Sequence, residues 1–454
     1  METETTSSAG YPKPAYAWYV VGVLMLLYIN SFLDRTVIML LVDPIKADFG
    51  VSDTAVSLLT GLAFALFYSV LGIPMGRLAD RRSRRWIIGI GATGWAVMAS
   101  LCGITQNYAQ LFLTRMGLGV GEATFVPSAF SIISDYFSRE RLPRAYAVLM
   151  LGAPLGSGLA FVIGGLVADY AQSVGTVELP VFGTIRSWQM VFLITGLPGI
   201  PLALWALATV REPKRHGLIA EAADSRLSIK SIIDFARQHW STYGTLLAGF
   251  SLLAMFSLGY LGWVAVFFMR THDMNPGQVG AVVGTAAMVG GVAGVLSGGI
   301  WCSWLTARGY ADAPLRTAIH ALIVAIPLGV IAPLISDWRA SAWAIGVLMF
   351  FLTFPQGTNV AAFQLITPNQ MRAQVSAVFM LLTNVFGLGL GATAVAVLTD
   401  YVFGVPEQVN YSLALFSLLI GTPALVFLIA GLKPYRLSLK MAEQWLDEPT
   451  VSET

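Results

Sequence analysis

The sequence predicts an all-α membrane protein of twelve transmembrane helices in two six-helix bundles. Three observations carry that prediction. Of 454 residues, 56% are hydrophobic and 11% charged, with a mean hydropathy of +0.70; soluble domains carry about 25% charged residues. Apolar runs of about 20 residues, long enough to cross a hydrocarbon core, recur twelve times. The longest polar insertion, residues 211–242, follows the sixth run and leaves six on either side.

The runs lie at 18–42, 55–75, 86–104, 111–136, 145–167, 190–210, 244–269, 279–305, 315–335, 342–363, 375–402 and 413–432. They divide the chain into an N-terminal tail (1–15), a first bundle (16–210), a central loop (211–242), a second bundle (243–432) and a C-terminal tail (433–454). Within the loop, 227–240 has the pattern of a short interfacial amphipathic helix. The N-terminal segment lacks the basic region of a cleaved signal peptide, so the first run is expected to remain as a helix. Cys102 and Cys302 both fall in apolar runs and are expected to be packing residues.

Lys and Arg set the expected orientation. One set of loops, with both termini, holds 21 of the 27; the other holds Lys46, Arg186, Arg270 and Arg339; Arg35 and Arg115 lie inside spans. The bias places both termini in the cytoplasm of a cell membrane. A weak repeat supports two related halves. Ala129-Phe130, Arg144-Ala145 and a span ending in Asp169-Tyr170 are echoed by Ala362-Phe363, Arg372-Ala373 and Asp400-Tyr401.

Charges inside the spans mark the candidate site. A charge at the bilayer centre costs at least ~2.5–3.5 kcal/mol on insertion scales, so each needs a partner, water or a task. In span one, Asn30 and Asp34 share one helix face, and Ser31 and Arg35 share another. Asp34 and Arg35 are neighbours pointing about 100° apart, so each is expected to look across the bundle. In span four, Arg115, Gly119 and Glu122 form a stripe whose charged ends lie roughly 10 Å apart. One arrangement is a purely structural network, Asp34 with Arg115 and Glu122 with Arg35. The other is proton coupling with anion binding: burial and a nearby Arg push a carboxyl's protonation in opposite directions, and arginine suits phosphate or carboxylate. Glu122 is the first candidate proton carrier and Asp34 the second, with Arg35 and Arg115 as headgroup or charge-balancing residues.

The second bundle has almost no charge inside its spans. Its polar and aromatic candidates for lining a cavity are Tyr260, Trp263, Phe354, Gln356, Asn359 and Asn384, with Asn30 on the first bundle's side. Charged on one side and apolar on the other, such a cavity would suit an amphiphile. Span five is dense in small residues, from Gly152 through Pro154, Gly156 and Gly158 to Gly164 and Gly165, which permits close helix approach. A near-neutral net charge of +2 gives no sign of nucleic acid. No metal cluster and no nucleophile–base constellation suggests an enzyme, and no cofactor is expected.

Between spans two and three the chain reads Gly76-x-Leu78-Ala79-Asp80-Arg81-x-x-Arg84-Arg85. This resembles the signature of the major facilitator superfamily, with Ser83 where a Gly is usual; the corresponding loop after span eight, 298–308, is degenerate. The resemblance implies an alternating-access carrier, with Gly76, Asp80, Arg84 and Asp135 in an intracellular gate. Asn30-x-x-x-Asp34-Arg35, followed by Arg115-x-x-x-Gly119-x-Gly121-Glu122-Ala123, is similar to the Spinster group, which is associated with lysophospholipids and sphingosine-1-phosphate. Related organic-anion symporters share these patterns. The resemblance implies a monomeric, proton-coupled carrier of an anionic amphiphile, or alternatively a proton-coupled symporter of small organic anions.

Overall fold

The computed structural model describes residues 12–138, 141–180, 183–214, 237–368 and 371–447. Among them, twelve helices are long and apolar enough to cross a membrane: Pro14–Leu40, Asp53–Gly72, Arg84–Cys102, Tyr108–Tyr136, Arg144–Val174, Ser187–Thr209, Trp240–His272, Pro276–Ala307, Ala313–Leu334, Trp338–Leu365, Gln374–Phe403 and Pro406–Ala442. These are spans one to twelve below. Twelve crossings return the chain to the side on which it began, called here the terminal face.

Breaks within spans have local causes. Span one is α-helical over Pro14–Thr36 and tightens into a 3-10 turn over Val37–Leu40. Span two breaks at Gly61, between Asp53–Thr60 and Leu62–Arg81. A Cβ on Gly61 would lie 2.5 Å from the Leu388 carbonyl oxygen of span eleven, so only glycine lets these helices meet there. Span four pauses after Glu122 and resumes at Phe125. Span eleven carries two π-helical segments, Asn384–Leu390 and Leu398–Phe403.

The two halves meet along spans two with eleven and five with eight. The small residues of span five permit the second contact. A Cβ on Gly158 would lie 2.8 Å from the Gly284 carbonyl oxygen, and one on Gly165 would lie 3.1 Å from Gly280 Cα. On its other face, Gly156 approaches Ile29 of span one, with 2.6 Å between a built Cβ and that carbonyl oxygen. Backbones this close gain dispersion contacts that bulkier residues would forbid.

Three features differ from the sequence reading. The final helix runs through Thr422–Asp447, so most of the stretch read as a C-terminal tail is helical. A helix, Val42–Phe49, lies between spans one and two, and a hairpin pairs Val177–Leu179 with Gly183–Ile185 between spans five and six. Short polar segments beside long apolar runs gave little periodic signal for either. The interfacial helix expected at 227–240 lies almost wholly outside the described residues.

Candidate functional site

Span one presents Asn30, Ser31, Asp34 and Arg35 to the interior of the first half. Span four crosses it with Arg115, Gly119 and Glu122 buried. Gly119 brings spans two and four together: a Cβ there would lie 2.7 Å from the Phe64 carbonyl oxygen. Gly121 packs against span three in the same way, 2.8 Å from Trp95 N. The glycines of the span-four stripe are therefore approach points, and its two charged residues reach span one between them.

Glu122 is 1% exposed. It accepts a hydrogen bond from Ser31 Oγ at 2.6 Å, and Arg35 Nη2 pairs with the same oxygen, Oε2. It is the last residue of its helical segment, where the helix dipole disfavours negative charge, so the Arg35 cation offsets an adverse position. Arg35 is boxed by aromatic faces, its guanidinium carbon 4.2 Å from the Phe64 ring centre, 4.7 Å from Phe32 and 5.2 Å from Tyr68. Such rings stabilise a desolvated cation. Glu122 Oε1 and Arg35 Nε have no hydrogen-bond partner.

Arg115 is fully buried and bonds main chain rather than a carboxylate. Nη1 donates to the Asp34 carbonyl at 3.0 Å, Nη2 to the Arg35 carbonyl at 3.1 Å, and Nε to the Leu59 carbonyl at 3.4 Å. The carbonyls of Asp34 and Arg35 belong to the last turn of the α-helical part of span one, where carbonyls lack intrahelical partners. Arg115 is thus a side-chain cap on a broken membrane helix. Of the structural network considered as one arrangement, the Asp34–Arg115 ion pair does not form. The Asp34 carboxyl, 1% exposed, has no hydrogen-bond partner on either oxygen. Of the four charges, the structure joins Arg35 with Glu122 and leaves Asp34 beside them unpaired.

Other expected residues fall elsewhere. Asn30 Oδ1 is unpartnered and turned toward span six, 2.6 Å from where a Cβ on Gly199 would sit. Tyr260 and Trp263 are packed inside the second half rather than lining open space; Trp263 Nε1 donates to the Ala392 carbonyl of span eleven at 2.7 Å. Phe354 is buried against span eight. Gln356 is exposed, while Asn359 and Asn384 are half-buried, Asn384 opening the first π segment of span eleven.

The residues expected to form an intracellular gate make bonds near the ends of spans three and four. Arg84 Nη1 pairs with Asp135 at 2.5 Å and Nε with Glu212 at 2.8 Å, and Nη1 also donates to Ser131. Burial alone would raise the Glu212 carboxyl's pKa. The Arg85 backbone N–H and the Arg84 and Ser83 side chains outweigh it and hold that pKa below the usual value. Arg84 belongs to span three, Asp135 to span four and Glu212 to the start of the central loop, so these bonds staple spans three and four to the residues after span six. Gly76 faces Pro127 of span four, again within the first half. The side chain of Asp80 lies outside the described residues.

Bonds between the halves appear at the face opposite the termini, a feature missed in the sequence. Arg270, at the end of span seven, bonds Asp43 through Nη2 at 2.5 Å and Asp53 through Nη1 at 2.7 Å. Lys46 adds a second cation on Asp53 at 2.9 Å. Ser57 Oγ donates to Thr393 Oγ1 of span eleven at 3.2 Å. A signal was present: that face has only four Lys or Arg. Three of them, Lys46, Arg186 and Arg270, pair with Asp residues of the segment between spans one and two and the start of span two.

Comparison with known proteins fits this architecture. An "MFS-type efflux pump" of Mycolicibacterium smegmatis is 29% identical over 406 residues, covering 87% of each chain. "Protein spinster" of Drosophila melanogaster is 26% identical over 324 residues, 68% of this chain and 50% of that protein. A "Probable L-galactonate transporter" of Escherichia coli is 22% identical, covering 89% and 87%. A solved bacterial homologue of the human lysosomal transporter Spinster, described as inward-facing and unoccupied, superposes with a TM-score of 0.75 at 23% identity, covering 97% and 100% of the two chains. The profile of the Major Facilitator Superfamily matches residues 24–394. Twelve spans in two halves, the signature after span two and that match show that the chain is a multi-pass membrane protein belonging to the Major Facilitator Superfamily, related to the Spinster proteins.

Proposed function

We propose that this chain is a Spinster-like secondary active transporter that moves an anionic amphiphile, of the lysophospholipid or sphingosine-1-phosphate type, by proton-coupled alternating access. The observation that carries this reading is the buried, unpartnered Asp34 carboxyl beside the Arg35–Glu122 pair inside the first half. An unpaired buried charge is costly, and a proton is the simplest way to remove it. Protonating Glu122 as well would release Arg35 from its ion pair, leaving an aromatic-walled guanidinium able to receive an anionic headgroup. Asp34 thereby moves ahead of Glu122 as first proton acceptor, and Glu122 becomes the switch on the substrate-binding cation. Arg115 supports the site through the span-one carbonyls.

The lysine and arginine bias supports cytoplasmic termini and a cell-membrane location. The opposite face is then external, and the Arg270–Asp43–Asp53 cluster is an external gate, closed here. Each chain holds a full pathway, so it acts as a monomer. Cavity lining from the second half falls to Gln356, Asn359 and Asn384.

A second reading, symport of small organic anions, is favoured by the galactonate relative and needs the same arginine. Uptake into liposomes of labelled lysophospholipid, and of a small aromatic carboxylate, with and without an imposed pH gradient, separates the two. Gradient-dependent lysolipid uptake that is lost in Asp34→Asn supports the proposal. Transport of the carboxylate alone replaces it with the second reading.

A further inference from the structure

The repeated Asp-Tyr pairs at the ends of spans five and eleven have a structural counterpart that the ion-pair gate does not use. Asp400 belongs to span eleven, in the second half. Its Oδ2 accepts two hydrogen bonds from Thr54 of the first half, from the backbone N–H and from Oγ1, both at 2.7 Å. Thr54 lies in the first turn of span two, whose N-cap is Ser52. Asp400 therefore supplies, from the other half of the molecule, a second cap for that helix.

Asp169 is the counterpart in the first half, at the end of span five. Its carboxylate lies against Gly277, in the first turn of span eight, so closely that a Cβ on Gly277 would overlap it. That helix begins with an Asn275–Gln278 capping box and Pro276. The carboxylate sits where the helix N-terminus carries partial positive charge. The two tyrosines that follow these aspartates, Tyr170 and Tyr401, are 60% and 73% exposed. In each half, then, the Asp turns to the other half and the Tyr turns away from it. Span five corresponds to span eleven, and span eight to span two, so the contacts are related by the symmetry of the halves.

The geometry points to Asp169 and Asp400 as a symmetric pair of positioning residues, each clasping the helix N-terminus of the opposite half and holding the face away from the termini shut. The clasps act beside the Arg270 cluster, on the two helix pairs along which the halves meet. A helix N-terminus has fixed donors, so a clasp binds only when the two helices are in register; separation of the halves breaks both together. This rests on the alternating-access reading above.

Ser57 tests it. The residue is 1% exposed, lies one turn below Thr54 and is covered by Thr393 of span eleven. In a Cys102→Ser/Cys302→Ser background, Ser57→Cys is reacted with a water-soluble maleimide on the purified, full-length protein. Arg270→Ala serves as the reference for an opened gate. Asp400→Ala, Asp169→Ala and Gly277→Ala are each expected to raise the labelling rate about tenfold, equivalent to about 1.4 kcal/mol. The Asp169→Ala/Asp400→Ala pair is expected to multiply the two effects, as for independent contacts. Asp400→Asn, which keeps an acceptor oxygen but loses the charge, is expected to fall between parent and Asp400→Ala. If an alanine variant fails to run as a single species on gel filtration, Asp169→Asn, Asp400→Asn and Thr54→Val make the same measurement. Parent-like labelling in the clasp variants while Arg270→Ala accelerates would overturn the proposal. Parent-like labelling in Arg270→Ala too would instead remove the moving gate, and with it alternating access.

Discussion

Arg115→Met is the substitution that most directly separates a structural from a substrate-binding role. Arg115 is 0% exposed and donates to three carbonyls, two of them at the end of the α-helical part of span one. Hydrogen bonds to a charged group contribute about 1.5–3 kcal/mol each, and a buried acceptor left without a donor costs about 1–3 kcal/mol. Removing the buried cation recovers part of its desolvation cost. A net loss of about 3–5 kcal/mol follows, the size seen when one member of a buried charged pair is removed. If the first six spans, about 200 residues, melt as a unit, each kcal/mol moves the midpoint by about 2–4 °C. The expected fall is therefore about 10 °C, measured by fluorescence-detected gel filtration after heating, without substrate. Arg115→Lys should fall nearly as far, since one ammonium cannot span three carbonyls fixed around a planar fork. A midpoint within about 2 °C of wild type in both variants would refute the capping role and return Arg115 to the substrate.

Three further outcomes are expected. In gradient-driven uptake, Asp34→Asn should abolish the response to an imposed pH gradient, while Glu122→Gln should retain exchange and weaken coupling; an unchanged pH response in both would remove the carboxyls from proton transfer. Glu212, held below the usual carboxylate pKa by its Arg84 and Arg85 contacts, stabilises the fold above the unfolded pKa of about 4.3. That contribution is lost as pH falls through the lower folded value, so the thermal midpoints of wild type and Glu212→Gln should differ at pH 7 and converge in acid. Gly61→Ala should push span two off span eleven, because the new Cβ meets two carbonyl oxygens at 2.5 and 2.8 Å; uptake is expected to fall at least tenfold with expression retained, and wild-type uptake would show that this contact is not needed in the cycle.

The twelve spans, the six-plus-six division and the membrane class were legible in the chain because the hydrophobic run length is a one-dimensional property set by bilayer thickness. Asp34, Arg35, Arg115 and Glu122 were legible as a group for a related reason: charge inside an apolar run is conspicuous whatever surrounds it. Partner choice was legible only in part. Arg115 and Asp34 have opposite charges and suit each other on paper. The Glu122–Arg35 pair was among the arrangements the spacing allowed, but only the approach of spans one, two and four, set at Gly119 by the Phe64 backbone, decided that Arg115 reaches carbonyls instead of Asp34. The ion pairs between the halves at the face away from the termini were signalled only by the few Lys and Arg there; which Asp each would meet was not legible, since Arg270 lies 227 residues from Asp43 and 217 from Asp53. Helical periodicity reports which residues share a face of one helix; it carries nothing about which faces of different helices meet. For this protein the sequence determined what must be buried in the membrane, and the tertiary structure decided which buried charges are satisfied and which is left without a partner.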